Sequence, residues 1–340
     1  MQKQRVVFRA DGDSQIGLGH VIRSLALAQM LQPEFEVIFA IQQPSAEVKK
    51  EIEQVCNVIE LPAEANLSAE AAQLGVNLLL PADIVVLDGY NFDSSYQKII
   101  KSLGCRLVCI DDLHAQHFFA DLIINHGGTV NKSNYSAQPY TRFLLGLQYA
   151  LLRPLFIKQI RQNRTINTVH TAFICMGGAD TQNISLKVLE AICNIHEIKK
   201  IHVVIGSANR HAADLITFTE KTSKDITLHR NLDAEKMIKV MEDAQFAVCP
   251  ASSVAIEILC VGLNLLTGYT AGNQKAFSNF LHLKQVGVSA GDFTILTSAE
   301  LEKLILQNLN NNTWTNQKSL MGGNQNELFA SEFRKLSAYE

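Results

Sequence analysis

At 340 residues the chain is too long for one ordinary core and suits two domains, so a cleft between two cores is the first place to expect a small-molecule site. With 47% hydrophobic and 19% charged residues, the composition excludes a disordered or fibrous protein. Thirty basic against 33 acidic residues give a net charge of -3, and no run of Lys and Arg stands ready to neutralise a row of phosphates, which excludes nucleic acid as a partner.

The first residues lead through Lys3 and Arg5 into a short strand-like run and meet Asp11, without the apolar core of a secretory signal, so export is not expected. Apolar runs at 6–8, 37–41, 84–87 and 107–110 read as buried strands separated by helical patterns, the signature of a parallel sheet covered on both faces. After Arg153 and Pro154 the pattern pauses, and the polar stretch 158–168 reads as the interdomain linker. A second α/β series follows, with strands expected at 171–176, 203–205, 226–229, 246–249 and 265–266. The expected organisation is a domain over 1–155, a second over 165–325, and a terminal helix in 326–340 able to pack back on the first. The most apolar region, 246–269, is interrupted by Pro250, Glu257, Gly262 and Asn264, which argues for buried strand and helix and against a membrane span. Seven cysteines lie mostly in apolar runs without Cys-x-x-Cys spacing and read as buried thiols of a reducing cytoplasm.

The segment FRADGDSQIGLGHVIRSLALAQML carries the most chemistry. A strand ends at Ala10, a polar loop with Asp11, Asp13, Gly17 and Gly19 follows, and a helix begins near His20 with Val21, Leu25 and Ala28 on one face. Such a loop lies at the carboxyl edge of an open sheet, where ligands bind. The dinucleotide fingerprint would want Gly where Ile22 stands, and an ATP-type loop would want Lys where Leu18 stands, so neither chemistry is supported. An imidazole in the first helical turn sits at the positive end of the helix dipole, which favours the neutral ring that can take a proton. The alternative is a purely structural turn and a structural histidine. In VVLDGYNFD, Asp88 and Tyr90 fall just past a strand on the same edge, where Tyr90 lines the cleft or merely covers it. Asp111, Asp112, His114 and His117 lack the helical spacing of a metal pair; no metal is expected, and the aspartates read as ending a strand and holding its loop.

In the second half, FICMGGAD ends a strand with Gly177 and Gly178, whose backbone can approach a phosphate, and Asp180 or Thr181 caps the next helix. CPASSVAIEILCVG puts Ser252 and Ser253 at a helix start and Glu257 one turn inside; hydroxyls and helix N–H groups suit a diphosphate, and a carboxylate suits the hydroxyls of a ribose. Ordinary N-capping is the bland alternative. Asn273 and Gln274, in a loop before another helix, can hydrogen-bond a sugar amide or hydroxyl, or Asn273 can simply cap that helix.

Taken in order, FRADGDSQIGLGHVIRSLALA, VVLDGY, IDDL, YALLRPLF, GGAD, AIEILCVG and NQKAF span nearly the whole chain and resemble the UDP-2,4-diacetamido-2,4,6-trideoxy-β-L-altropyranose hydrolase family of pseudaminic acid biosynthesis, relatives of the GT-B glycosyltransferases. The resemblance implies an α/β, GT-B-like fold of two Rossmann-like domains with a ligand cleft between them. It implies UDP held by Gly177, Gly178, Ser252, Ser253 and Glu257, with the first domain holding the sugar and the water; Asp11, Asp13, Gly17, Gly19, Asp180 and Gln274 are further candidate substrate-binding residues. His20 would deprotonate a water that attacks the anomeric carbon with inversion, and Tyr90 and Asn273 look like family positions beside the sugar. No cofactor is implied, and the partners are the UDP-sugar and water, with the oligomeric state left open. The chain departs from the family at Ser252-Ser253, where Gly-Ser is usual, at Gly89, where a larger polar residue is common, and at His126-Gly127-Gly128. The competing readings are a GT-B glycosyltransferase, in which His20 serves an acceptor hydroxyl, and a non-catalytic nucleotide-sugar-binding protein, which needs no His20.

Overall fold

The computed structural model describes residues 3–12, 18–64, 66–206 and 208–338. The chain divides into two compact units, Met1–Pro154 with Asn324–Glu340, and Leu155–Gly323.

The first unit runs β1 (Arg5–Ala10), α1 (Gly19–Leu31), β2 (Glu36–Gln42), α2 (Ala46–Glu53), β3 (Asn57–Leu61), α3 (Leu67–Asn77), β4 (Ile84–Asp88), α4 (Ser94–Ser102), β5 (Arg106–Ile110), β6 (His117–Phe118), β7 (Leu122–Asn125), β8 (Ser136–Ala137) and β9 (Arg142–Leu145). Seven of these strands form a parallel sheet in the order β3-β2-β1-β4-β5-β7-β9, while β6 and β8 pair apart from it. The four apolar runs expected to be strands are β1, β2, β4 and β5, and their continuous burial reflects helices on both faces. Val7, Ile38, Val85, Leu107 and Ile123 meet Ala71 and Leu74 of α3 and Tyr96 and Ile100 of α4 in one core. Each fully buried aliphatic side chain there contributes about 1.5–3 kcal/mol.

The second unit takes up α5 (Pro154–Ile160) and continues with β10 (Thr171–Ile174), α6 (Ile184–Cys193), β11 (Lys200–Ile205), α7 (Ala212–Thr219), β12 (Asp225–Arg230), α8 (Ala234–Asp243), β13 (Phe246–Pro250), α9 (Ser253–Val261), β14 (Asn264–Tyr269), α10 (Lys275–Leu283), β15 (Val288–Asp292) and α11 (Ser298–Asn308). Its six parallel strands follow the order β12-β11-β10-β13-β14-β15. The last helix, α12 (Gln325–Ser337), returns to the first unit and packs on α1 and the residues after it: Phe333 meets the Phe35 ring edge-on at 6.0 Å, and Arg334 pairs with Glu34 at 2.7 Å.

Both sheets reverse their direction of winding at the middle, between β1 and β4 in the first unit and between β10 and β13 in the second. The carboxyl ends of the strands at such a switch point are where open α/β sheets bind ligands. His20 follows β1 and Asp88 ends β4; Gly177 and Gly178 follow β10, and Ser252 follows β13. Among the described residues, no helix is long and apolar enough to cross a membrane. All seven cysteines are free thiols; five are buried, but Cys56, in the turn before β3, and Cys193, the last residue of α6, are only half-buried.

Candidate active site

His20 stands in the first turn of α1, whose inner face buries Val21, Leu25 and Ala28 and so turns the ring toward the end of β4. Its Nδ1 lies 2.7 Å from Oδ1 of Asp88, a residue wholly shut off from solvent. Asp88 also receives Nε and Nη2 of Arg23 at 2.7 and 2.5 Å, a two-pronged grip, and the hydroxyl of Ser24 at 3.1 Å. His20, Arg23 and Ser24 converge because positions i, i+3 and i+4 share one helical face. Burial pushes the Asp88 carboxyl up, but the Arg23 charge and its hydrogen bonds, joined by His20, more than reverse this and hold it below the usual carboxylate range.

An ionised carboxylate only accepts, so the His20 proton sits on Nδ1 and is donated to Asp88. Arg23 Nη2 lies 3.0 Å from the same ring nitrogen but directs its N–H to Asp88 Oδ1. With Nδ1 turned to Asp88, Nε2 is the ring nitrogen that faces away from the carboxylate, oriented as the base of a Ser-His-Asp triad is. Tyr90 stacks edge-on against His20 at 4.8 Å and donates its hydroxyl to Asp112 Oδ2 at 3.2 Å, the same oxygen that takes Arg23 Nη1 at 3.0 Å. Half of the Tyr90 surface remains exposed, so the ring lines the site without sealing it. The turn before it explains Gly89: a Cβ there would come within 2.9 Å of the Phe92 ring.

Of the other loop residues, Gly19 opens α1 on the exposed side, with nothing within 4 Å of where its Cβ would be. Asp11 is tied back into the unit, its Oδ1 accepting from Arg9 Nη1 at 2.5 Å and from the Gln42 backbone at 3.0 Å. Arg9 is in turn buried against Glu70, which it meets through two bonds of 2.8 Å. Asp13 and Gly17 lie outside the described residues. Asp111 holds its loop by accepting the His114 N–H at 2.7 Å, whereas Asp112 turns into the site.

In the second unit, Gly177 takes the left-handed conformation (φ 86°), and neither Gly177 nor Gly178 has an atom within 4 Å of its missing Cβ, so the backbone there is open to a ligand. Gly206, after β11, packs directly on Gly178: a Cβ on Gly206 would stand 2.5 Å from Gly178 backbone atoms. Asp180 accepts from the Ile184 and Ser185 N–H groups at 2.8 and 2.9 Å, so its carboxylate occupies the amino end of α6. An anion approaching that helix would meet the Asp180 charge. Replacing Asp180 by Ala removes a two-bond cap and is expected to cost about 1–2 kcal/mol, read as a lowered Tm in a thermal melt.

The amino end of α9 is different: its N-cap Ser252 makes no side-chain cap bond. Ser253 opens the helix and Glu257, only 6% exposed, lies one turn on; its charge adds to burial in pushing the neighbouring Cys260 thiol up. Asn273 and Gln274 sit on a single 3-10 turn after β14, where Gln274 Oε1 accepts the Thr270 N–H at 2.9 Å and so closes the turn. The structure thus brings His20 and Tyr90 into contact at one sheet edge, and sets Gly177, Gly178, Ser252 and Ser253 after adjacent strands of the other. Asp88 lies on the edge that the sequence indicates, whereas its partner Arg23, one turn after His20 on α1, carries no sequence signal of its role.

No family model matches the chain. It is 28% identical, over 82% of its length and 97% of the relative's, to UDP-2,4-diacetamido-2,4,6-trideoxy-β-L-altropyranose hydrolase of Campylobacter jejuni. The resemblance read from the sequence is borne out. The chain is also 25% identical, over 76% of its length and 75% of the relative's, to the spore coat polysaccharide biosynthesis protein SpsG of Bacillus subtilis. Among solved structures, MurG of Acinetobacter baumannii superposes with a TM-score of 0.66 over 98% of this chain and 99% of that one, at 14% identity. The fold is that of the GT-B proteins.

Proposed function

We propose that this protein hydrolyses a UDP-linked 2,4-diacetamido-2,4,6-trideoxy sugar to the free sugar and UDP, by water attack at the anomeric carbon with inversion and without a metal. The single observation that carries this reading is the His20–Asp88 pair: a lone-pair nitrogen, held by a buried carboxylate at the switch point of the first sheet, is a base aimed at a proton. The name of the Campylobacter relative supports the substrate class.

In this account His20 Nε2 takes a proton from the attacking water as its oxygen bonds to the anomeric carbon. The bond from that carbon to the diphosphate oxygen breaks, and UDP leaves with the electron pair. UDP is held by the second unit, its diphosphate on the open backbone of Gly177 and Gly178 and the uncapped amino end of α9 at Ser252 and Ser253, its ribose by Glu257. The diphosphate is already a good leaving group, so stabilising its charge accounts for much of the rate, and the base supplies a factor of about 10² to 10⁴. Tyr90 of the first unit and Asn273 of the second are each assigned to sugar binding. The setting is the cytoplasm, where the free thiols stay reduced.

The glycosyltransferase reading draws support from the fold shared with MurG. Proton NMR of the protein with the UDP-linked diacetamido sugar, without acceptor or added metal, separates the two. Free reducing sugar and UDP are expected; intact substrate with UDP still binding would give the reading to a transferase.

A further inference from the structure

Among the described residues, two buried polar atoms near the base have no partner. One is Oδ1 of Asp112, whose other oxygen is fully engaged by Arg23 and Tyr90; the second is Nδ1 of His126. Their proximity follows from strand register. In the parallel pair β5 and β7, Ile110 stands opposite Ile124, and the Asp111 N–H bonds the Ile124 carbonyl at 3.0 Å. Two residues further along each chain come Asp112 and His126, just past the paired stretch, and the Asp112 charge acts on the His126 ring. Asp88 pairs with Ile110 on the next strand, so His126, Asp112 and Asp88 leave neighbouring strand ends of one carboxyl edge. The turn that carries His126 is fixed from behind: Asn125 accepts the Gly127 N–H at 2.7 Å and donates to the Tyr135 hydroxyl at 2.8 Å.

A buried donor or acceptor without a partner is costly, and natural sites keep such groups where something else satisfies them. Burial, then the Arg23 charge, lowers His126 to about 4, despite the opposing pull of Asp112 and Asp88. The neutral ring offers one N–H and one lone pair, while the carboxylate of Asp112 only accepts. A ligand group that suits both must give a hydrogen to Asp112 and meet the imidazole with its other half. A secondary amide does so, with its N–H toward the carboxylate and its carbonyl toward the ring N–H.

We infer that Asp112 and His126 form the subsite for an acetamido substituent of the sugar, making His126 a specificity residue. This rests on the sugar-nucleotide reading above and adds to it which side chains recognise the amide.

The test is calorimetric and is run on the full chain carrying His20→Leu, which removes the base and so preserves the ligand during titration. UDP and the UDP-linked diacetamido sugar are titrated into that protein, and into versions also carrying His126→Phe or Asp112→Asn. The expected result is that the sugar nucleotide binds more tightly than UDP. Either second substitution should weaken the sugar nucleotide about 10- to 100-fold while changing UDP less than twofold. Should His126→Phe fail to fold, the near-isosteric Asp112→Asn carries the same expectation, with circular dichroism as the check on folding. Equal weakening of both ligands, or weakening of neither, would overturn the inference and leave the pair holding an ordered water. Hydrolysis by the wild-type protein reports separately on the reaction: turnover with no difference between the ligands would defeat only the subsite. A difference without wild-type turnover would keep the subsite and defeat the hydrolase. No binding of the sugar nucleotide would defeat both.

Discussion

Asp88→Asn is expected to lower kcat by about 10² to 10⁴ while leaving UDP affinity within twofold. The reason is a proton. Ionised Asp88 fixes the His20 hydrogen on Nδ1; an amide can offer its own N–H to that nitrogen instead, which moves the ring hydrogen to Nε2 and removes the base. The same change breaks the two-pronged bond to Arg23, leaving a buried guanidinium with Asp112 as its remaining carboxylate partner. Removing one member of a buried ion pair costs about 3–5 kcal/mol, so a lowered Tm should accompany the lost rate.

The linkage has a definite sign. Asp88 is held below its ordinary value of about 3.9, so the folded state binds its proton less readily than the unfolded chain. Its contribution to stability is complete above pH about 4 and is lost as pH falls through the lower folded value. The acid limb of a pH–stability curve should therefore flatten in Asp88→Asn. A kcat within tenfold of the wild type, in a variant that melts normally, would contradict the role given to Asp88.

The second large effect is at His20 itself. Leucine fills a similar volume in the first turn of α1, and Asp88 keeps Arg23 and Ser24, so the fold should stand. What disappears is the only nitrogen in this account that can take a proton from water. The expected outcome is a kcat lower by about 10² to 10⁴, with a UDP titration unchanged because the nucleotide is assigned to the second unit. A fall in UDP affinity as large as the fall in kcat would mean that His20 binds the leaving group and is no base.

How much of this was legible in the sequence depends on the kind of residue. Continuous apolar runs such as IVVL and RLVCI announce strands buried on both faces, and β1, β2, β4 and β5 lie where those runs fall. The edge strand β3 (NVIEL) and the strand β15 (VSAGD) were not expected, because a strand with an exposed or half-exposed face lacks the apolar run that marks a central one. The partnership of His20 with Asp88 spans 68 residues and arises only because β4 inserts beside β1. Periodicity cannot report a strand order. His126 stood out in the sequence as a departure from a familiar pattern, and only the register of β5 with β7 sets it beside Asp112. Asp180 was readable as a helix cap, and it accepts two backbone N–H groups at the start of α6.

The most direct measurement is an NMR time course of the UDP-linked diacetamido sugar in oxygen-18 water, for the wild type and His20→Leu side by side and without acceptor. The account predicts label in the hydroxyl at the anomeric carbon of the released sugar, inverted configuration in the first product formed, unlabelled UDP, and near-silence from the variant. Label in the UDP phosphate, or the same course from both proteins, would contradict water attack at the anomeric carbon driven by His20.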